Sequence, residues 1–315
     1  MKKTILFLVL SLLLFGLYLW TKGSSKINYS FYHWTSNYQV NAKEKNPPKY
    51  VKVLDIAFRH TLEIHRTTFK TVPQKSIVPV IYLDNGLWSK MRSKTMVKKV
   101  LQALKKLPIK YNEIQIDCDW TNYSKKSYFK FLTLLKQNSS KKISATIRLH
   151  QVKFFKKTGV PPIDYGVLMY YNMSDFQDIN CKNYILDLEV AKTYHYNFQN
   201  YPLALNLALP LYAQATIIRF SKVVGLVAGL RENQLDSSFK KIDKHRYQVK
   251  KTHYLNKHLF YEDDIVRVDE VSVELLKNAI MELKKVMSQP KEIIFYRWRN
   301  RGVYSKDRLD DVVRW

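Results

Sequence analysis

Residues 112–119 read Asn-Glu-Ile-Gln-Ile-Asp-Cys-Asp, an alternation of polar and apolar side chains. On an extended strand Ile114, Ile116 and Cys118 face one side, and Gln115, Asp117 and Asp119 the other. The two carboxylates then leave one face with their Cα atoms about 7 Å apart. Amphipathic helical stretches precede and follow the segment, which reads it as an internal strand. Two acids buried that close repel, and one of them holds its proton more tightly. A carboxylic acid kept protonated beside an ionised partner is what acid-catalysed glycoside cleavage requires.

The elements around this pair decide whether it stands at an open site. Strand-like segments cover residues 29–34, 51–58, 77–83, 113–120, 143–149, 165–171, 203–209 and 292–298. Helical periodicity covers 90–107, 127–137 and 271–288, with further helical stretches at 61–69, 151–158 and 184–196. Eight strands interleaved with helices give an α/β fold, the (β/α)8 TIM barrel. A doubly wound sheet also alternates, but it opens with a Gly-rich phosphate loop, and this sequence has none. About sixty residues, 211–269, break the rhythm between strands 7 and 8. They hold a strand-like 223–230 and a polar 240–264, and read as an insertion, a hairpin flap with a loop at the catalytic face. The alternative is that this segment holds the eighth strand and the last segment is an extra one.

In such a barrel the C-terminal strand ends line the site. They supply Tyr32, His33 and Trp34, then Asp55, then Tyr82 and Asp84, then Asp117 and Asp119. Arg148 and His150, Tyr170 to Asn172, Asn206, and Arg297 and Trp298 complete the ring. Asp119 and Asp117 are the candidate catalytic residues. Tyr32, Trp34, Asp55, Gln115, Arg148, His150, Tyr171, Asn172, Asn206 and Trp298 are the candidates for binding substrate. Aromatics beside carboxylates suit a sugar, whose rings stack an apolar face on indole or phenol. Each also has a structural alternative: Arg148 as an ion-pair partner of Asp117 across neighbouring strands, Asp55 bonded within the barrel core.

Residues 112–119 resemble the strand-four signature of glycoside hydrolase family 18, the chitinase-like barrels, Asp-Gly-x-Asp-x-Asp-x-Glu. Asn112 takes the first Asp position, Gln115 the second, Asp117 the third and Asp119 that of the Glu. Met169-Tyr170-Tyr171-Asn172 has the Met-x-Tyr-Asp/Asn form of that family's strand six. Trp298 corresponds to its strand-eight aromatic. The run from Tyr32-His33-Trp34 to Arg297-Trp298-Arg299 is also similar to a family of exported bacterial barrels of hydrolase type. The resemblance implies a glycosidase in which Asp119 protonates the leaving oxygen. Asp117 would set its proton affinity, and Tyr171 and Asn172 would hold an acetamide in a substrate-assisted route. Three departures count against turnover, the first being Gln115, which replaces an Asp and removes a charge from the relay. Asp119 is one methylene shorter than Glu, a retraction of roughly 1.3–1.5 Å, and about 1 Å of misplacement can cost around a hundredfold. The family's strand-three Ser-x-Gly-Gly is replaced by Ile81-Tyr82-Leu83-Asp84. The alternative function is therefore a glycan-binding TIM barrel with a degenerate hydrolase site.

With 315 residues, 46% of them hydrophobic, the chain can bury one large core. Its net charge of +27 attracts acidic polymers and anionic headgroups. The lysines are spread along the sequence rather than blocked into an arm, so nucleic acid is not the expected partner; a poly- or oligosaccharide is. Two cysteines, Cys118 and Cys181, give no metal-binding set. His60 and His65, like His253 and His258, are five apart, the wrong spacing for one helical face. With no Gly-x-Ser-x-Gly, His-Glu-x-x-His or phosphate loop, no metal or cofactor is expected. Lys2 and Lys3 precede an apolar run over residues 5–20. Residues 1–25 read as a signal peptide or an N-terminal membrane anchor, and 26–315 as the barrel domain, exported to the periplasm or cell surface. An internal helix of the fold is the alternative for the apolar run.

Overall fold

The computed structural model describes residues 26–315; the expected signal or anchor at 1–25 lies outside them. Eight parallel strands close into a ring: β1 (Asn28–His33), β2 (Tyr50–Phe58), β3 (Val78–Leu83), β4 (Glu113–Asp117), β5 (Lys142–Arg148), β6 (Tyr165–Met169), β7 (Leu205–Pro210) and β8 (Glu292–Tyr296). Each pairs with its sequential neighbour, and β8 pairs parallel with both β7 and β1. The last segment is therefore the eighth strand, and the fold is the (β/α)8 barrel.

Period-two alternation sorts each strand into two faces. Ile114, Ile116, Cys118, Ile143, Ile147, Leu207 and Phe295 join the large outer core, between strands and helices. Tyr32, Tyr50, Val78, Val80, Val167, Ala208 and Ile294 fill the barrel axis. The helices cover the outer face with apolar stripes at helical spacing. In α1 (Ser93–Lys105) these are Met96, Val97, Val100, Ala103 and Leu104; in α2 (Lys125–Gln137), Tyr128, Phe131, Leu132 and Leu135. In α3 (Val273–Lys284) Leu276, Ala279, Ile280 and Leu283 are buried, and the Ser272 hydroxyl caps the start by accepting from the Leu275 N–H at 3.0 Å.

Residues 61–69, expected to be helical, are not. Leu62–Arg66 is a strand antiparallel to β2, with Ile56 opposite Ile64 and Phe58 opposite Leu62. Leu62 and Ile64 face the core while Glu63 and His65 point away, a period of two that the short segment let pass for a helical stripe. Between β7 and β8 five strands form a separate antiparallel sheet: Gln214–Arg219, Lys222–Ala228, Phe239–Lys241, Arg246–Val249 and Ile265–Asp269. Its own core includes Ile217, Val227, Phe239, Phe260 and Val266. The polar stretch 240–264 is thus mostly strand and tight turn. Arg267, fully buried, anchors this sheet to the loop after β6: it donates to the carbonyls of Asp178 at 2.7 Å and Phe176 at 3.1 Å, and pairs with Asp269 at 3.0 Å. Among the described residues no helix is long and apolar enough to cross a membrane.

Candidate functional site

The inward face of β4 carries Glu113, Gln115 and Asp117 in order from the N-terminal end of the barrel to the C-terminal end. Asp119 lies two residues beyond the strand. Gln115 is fully buried and accepts from the Tyr32 hydroxyl at 2.7 Å; its amide nitrogen has no partner. Above it Asp117, 8% exposed, accepts from the Thr146 hydroxyl of β5 at 2.6 Å. Burial pushes the Asp117 carboxyl up to about 6; the Thr146 bond opposes the shift and the Asp119 charge adds to it. Asp119 stands at the rim with its side chain 52% exposed and forms an ion pair with Arg148, from the end of β5. The inner acid thus holds its proton more tightly than an ordinary carboxyl, and Arg148 pairs with the outer one, not with Asp117.

β2 contributes through a bulge. Lys52 is opposite Val80 and Asp55 opposite Tyr82, both inward residues of β3, because the register shifts between Lys52 and Leu54. Lys52 and Asp55, three apart, therefore share the inner face and pair at 3.1 Å. The Lys52 ammonium also lies 5.4 Å from the centre of the Trp34 ring. Tyr82 stands among these acids: burial, then the charges of Asp119, Asp117, Asp84 and Asp55, raise its hydroxyl to about 12.

The far wall of the mouth is aromatic. Trp34 meets Tyr296 edge-on at 5.8 Å, and Tyr171 stacks on Tyr296 at 5.4 Å with the planes 15° apart. Asn172 adopts a left-handed φ of 56°, which asparagine tolerates, and its side-chain oxygen accepts from the Tyr212 hydroxyl. His150 falls in the short helix after β5, half-buried; burial and the nearby Arg148 lower its proton affinity.

Tyr32, Trp34, Asp55, Gln115, Asp117, Asp119, Arg148, Tyr171 and Asn172 are thus brought to the C-terminal half of the barrel, with His150 just outside it. Two candidates are not. Asn206 is the second residue of β7, at the opposite end, where its oxygen accepts from the Glu292 N–H at 3.2 Å. Trp298 packs outside the barrel against His33, donates to the Asn46 carbonyl at 3.1 Å, and lies under the Arg301 guanidinium at 3.6 Å. Tyr296, two residues earlier, is the inward aromatic of β8. Sequence reasoning missed Tyr296, Lys52 and Thr146. Thr146 was within reach, because it shares a face with Arg148 two residues on. Among the described residues no group of three His, Cys, Asp or Glu is placed to hold a metal.

No protein-family model and no curated protein matches the sequence. Solved structures do. The Bacillus cereus spore cortex-lytic enzyme SleL superposes with a TM-score of 0.50 at 11% identity, over 91% of this chain and 75% of that one. A chitinase from Chromobacterium violaceum gives 0.49 at 10% identity, over 84% and 90%. At such identity the SleL match speaks for the fold, and function has to be argued from the site.

Proposed function

We propose that this chain is an exported glycoside hydrolase acting on a cell-envelope or extracellular polysaccharide, with Asp117 and Asp119 as its acid pair. One observation supports this above the others: a carboxyl raised to about 6 lies under a second carboxyl, at the mouth of a (β/α)8 barrel walled by Trp34, Tyr171 and Tyr296. Asp117 holds the proton that the leaving oxygen needs. Asp119, positioned by Arg148, is the carboxylate at the solvent edge that an incoming sugar meets first. Tyr171 and Asn172 line the side where an N-acetyl group would sit in a substrate-assisted reaction.

A second reading has its own support. Asp119 is engaged by Arg148 and Asp117 is sheltered, so the site has the stacking surface of a glycan cleft without a free acid at its rim. This is a barrel that binds glycan and leaves it intact. Incubation with a panel of oligosaccharides, N-acetylated and not, separates the two when products are followed by mass spectrometry and binding by calorimetry. Cleavage that disappears in Asp117→Asn supports the hydrolase. Binding with intact substrate after prolonged incubation leaves only the second reading, and neither binding nor cleavage removes both.

A further inference from the structure

The lysines of this protein are not spread evenly between the two ends of the barrel. A parallel barrel gathers all strand starts at one end and all strand finishes at the other. Six of the eight strands have a lysine within three residues of their start: Lys26 for β1, Lys49 for β2, Lys75 for β3, Lys110 for β4, Lys142 for β5 and Lys291 for β8. No strand has a lysine within the three residues after its finish; the cations there are the arginines Arg59, Arg297 and Arg299. Lys75, Lys110, Lys142 and Lys291 are exposed and carry no ion pair among the described residues. Acids are also present at this end, but they are committed. Glu113 accepts from Ser144 and Tyr165, Glu292 from Lys49 and Tyr50, and Asp164 from Lys136 and the Ile143 N–H. A shallow cavity of about 1120 Å³ opens here, with Lys49, Lys142 and Lys291 on its lining.

We infer that this N-terminal end of the barrel lies flat on an anionic lipid surface, through headgroup contacts of the strand-start lysines, so that the acid-bearing mouth faces away from the membrane. The occupant is chosen by the place where the chain leaves the barrel. The apolar run at residues 5–20 ends five residues before Lys26, the first of the six lysines. Five residues span at most about 18 Å. With that run in a bilayer, the end of the barrel that starts with Lys26 is held within about two Debye lengths of the headgroups at physiological salt. On so short a tether those lysines can come within one Debye length of an anionic leaflet, where attraction acts, whereas at the mouth the one lysine, Lys52, is already paired with Asp55. The inference rests on the membrane expectation for residues 1–25 and is independent of what the mouth binds.

The test uses the full chain, reconstituted into vesicles of phosphatidylcholine alone or with one-third phosphatidylglycerol. The readout is the rate of amine acylation at each lysine, resolved by peptide mass spectrometry. On the anionic vesicles Lys75, Lys110, Lys142 and Lys291 should label about fivefold more slowly than on the neutral ones. Lys222, Lys240 and Lys250 of the inserted sheet should label alike on both, and half-molar salt should abolish the difference. The triple variant Lys75→Gln, Lys142→Gln, Lys291→Gln should lose protection at Lys110 while remaining in the vesicle fraction. Equal labelling on both vesicles, protection spread over the inserted sheet, or a chain that stays off the vesicles each overturns the inference. So does protection of the same lysines by soluble polyglycerol phosphate and not by lipid.

Discussion

Glu113 and Asp117 stand on the same face of the same strand, four residues apart, and their surroundings could hardly differ more. At the N-terminal end Glu113 accepts from Ser144 at 2.7 Å and from Tyr165. Tyr165 meets Tyr50 at 3.2 Å, Tyr50 donates to Glu292 at 3.0 Å, and Lys49 closes the chain onto Glu292 at 2.7 Å. In this network each carboxylate has a donor, and it stoppers the barrel. At the C-terminal end, among the described residues, Asp117 has a single side-chain hydrogen-bond partner, Thr146, and the Gln115 amide nitrogen below it has none. Buried polar groups in folded proteins are generally paired, and those left short are where ligands and chemistry are sought. The lower network is satisfied within the chain; the upper set is not.

Substitution of the inner acid should give the largest effect. If the wild type cleaves a glycan, Asp117→Asn should lower kcat by about 10²–10⁴, the usual contribution of a positioned acid. The wild-type rate should fall as pH rises through about 6, where Asp117 loses its proton. Turnover retained in that variant would remove Asp117 from the chemistry and leave the upper end as structural as the lower.

The same substitution has a consequence for stability that does not depend on substrate. The Asp117 carboxyl is raised from an ordinary 3.8 to about 6, so the folded state binds its proton more tightly than the unfolded state. Stability linked to this group is complete below pH 3.8 and is lost as pH rises through about 6. Two pH units correspond to about 3 kcal/mol. Asp117→Asn keeps an oxygen for Thr146 and cannot ionise. Between pH 4 and pH 8, in denaturant melts, its stability relative to wild type should rise by about 2–3 kcal/mol. Asp269, also raised to about 6 by burial, is common to both proteins and cancels in the difference.

The lower end should respond in the opposite manner. Glu113→Gln removes the charge from the network with Tyr165 and Ser144 and should cost about 1–2 kcal/mol of stability at pH 7, with kcat and glycan affinity unchanged. Trp34→Ala should do the converse, weakening glycan affinity about tenfold at a smaller cost in stability than loss of a core ring, because the ring is partly exposed at the rim. A loss of affinity in the first, or none in the second, would erase the distinction between the two ends.

Much of the barrel was legible in the sequence, because the strands recur eight times and three long helical stripes fall between them. The faces of β4 could be read from single residues: Ile114, Ile116 and Cys118 join the outer core, and Gln115 and Asp117 point in. Lys52 was not legible, because a bulge puts it on the face of Asp55 against the parity of the spacing. Trp298 misled for a related reason. It shares the parity of the inward Ile294 and Tyr296, but the strand stops at Tyr296 and Trp298 opens a 3-10 turn that leaves the barrel wall. Asn206 was placed on the right strand but at its wrong end, since a strand start at residue 205 rather than 203 shifts it toward the stopper. The ion pair of Asp119 with Arg148 depends on two rims that spacing along one strand does not relate.

Asn206 offers the smallest and sharpest test. It points into the barrel, is 8% exposed, and is as polar as any residue in the mouth. Among the described residues its side-chain oxygen accepts from the Glu292 N–H at 3.2 Å. Asn206→Ala should cost about 1 kcal/mol of stability from that buried bond and leave turnover and glycan affinity at wild-type values. Strand β7 rises about 3.3 Å per residue, so four residues separate this position from the mouth by about 13 Å, too far for contact with a sugar bound at Trp34 and Asp119. A change in kcat here would mean that the stopper and the mouth move together. The hydrogen-bond accounting that assigns structure to one end and function to the other would then fail.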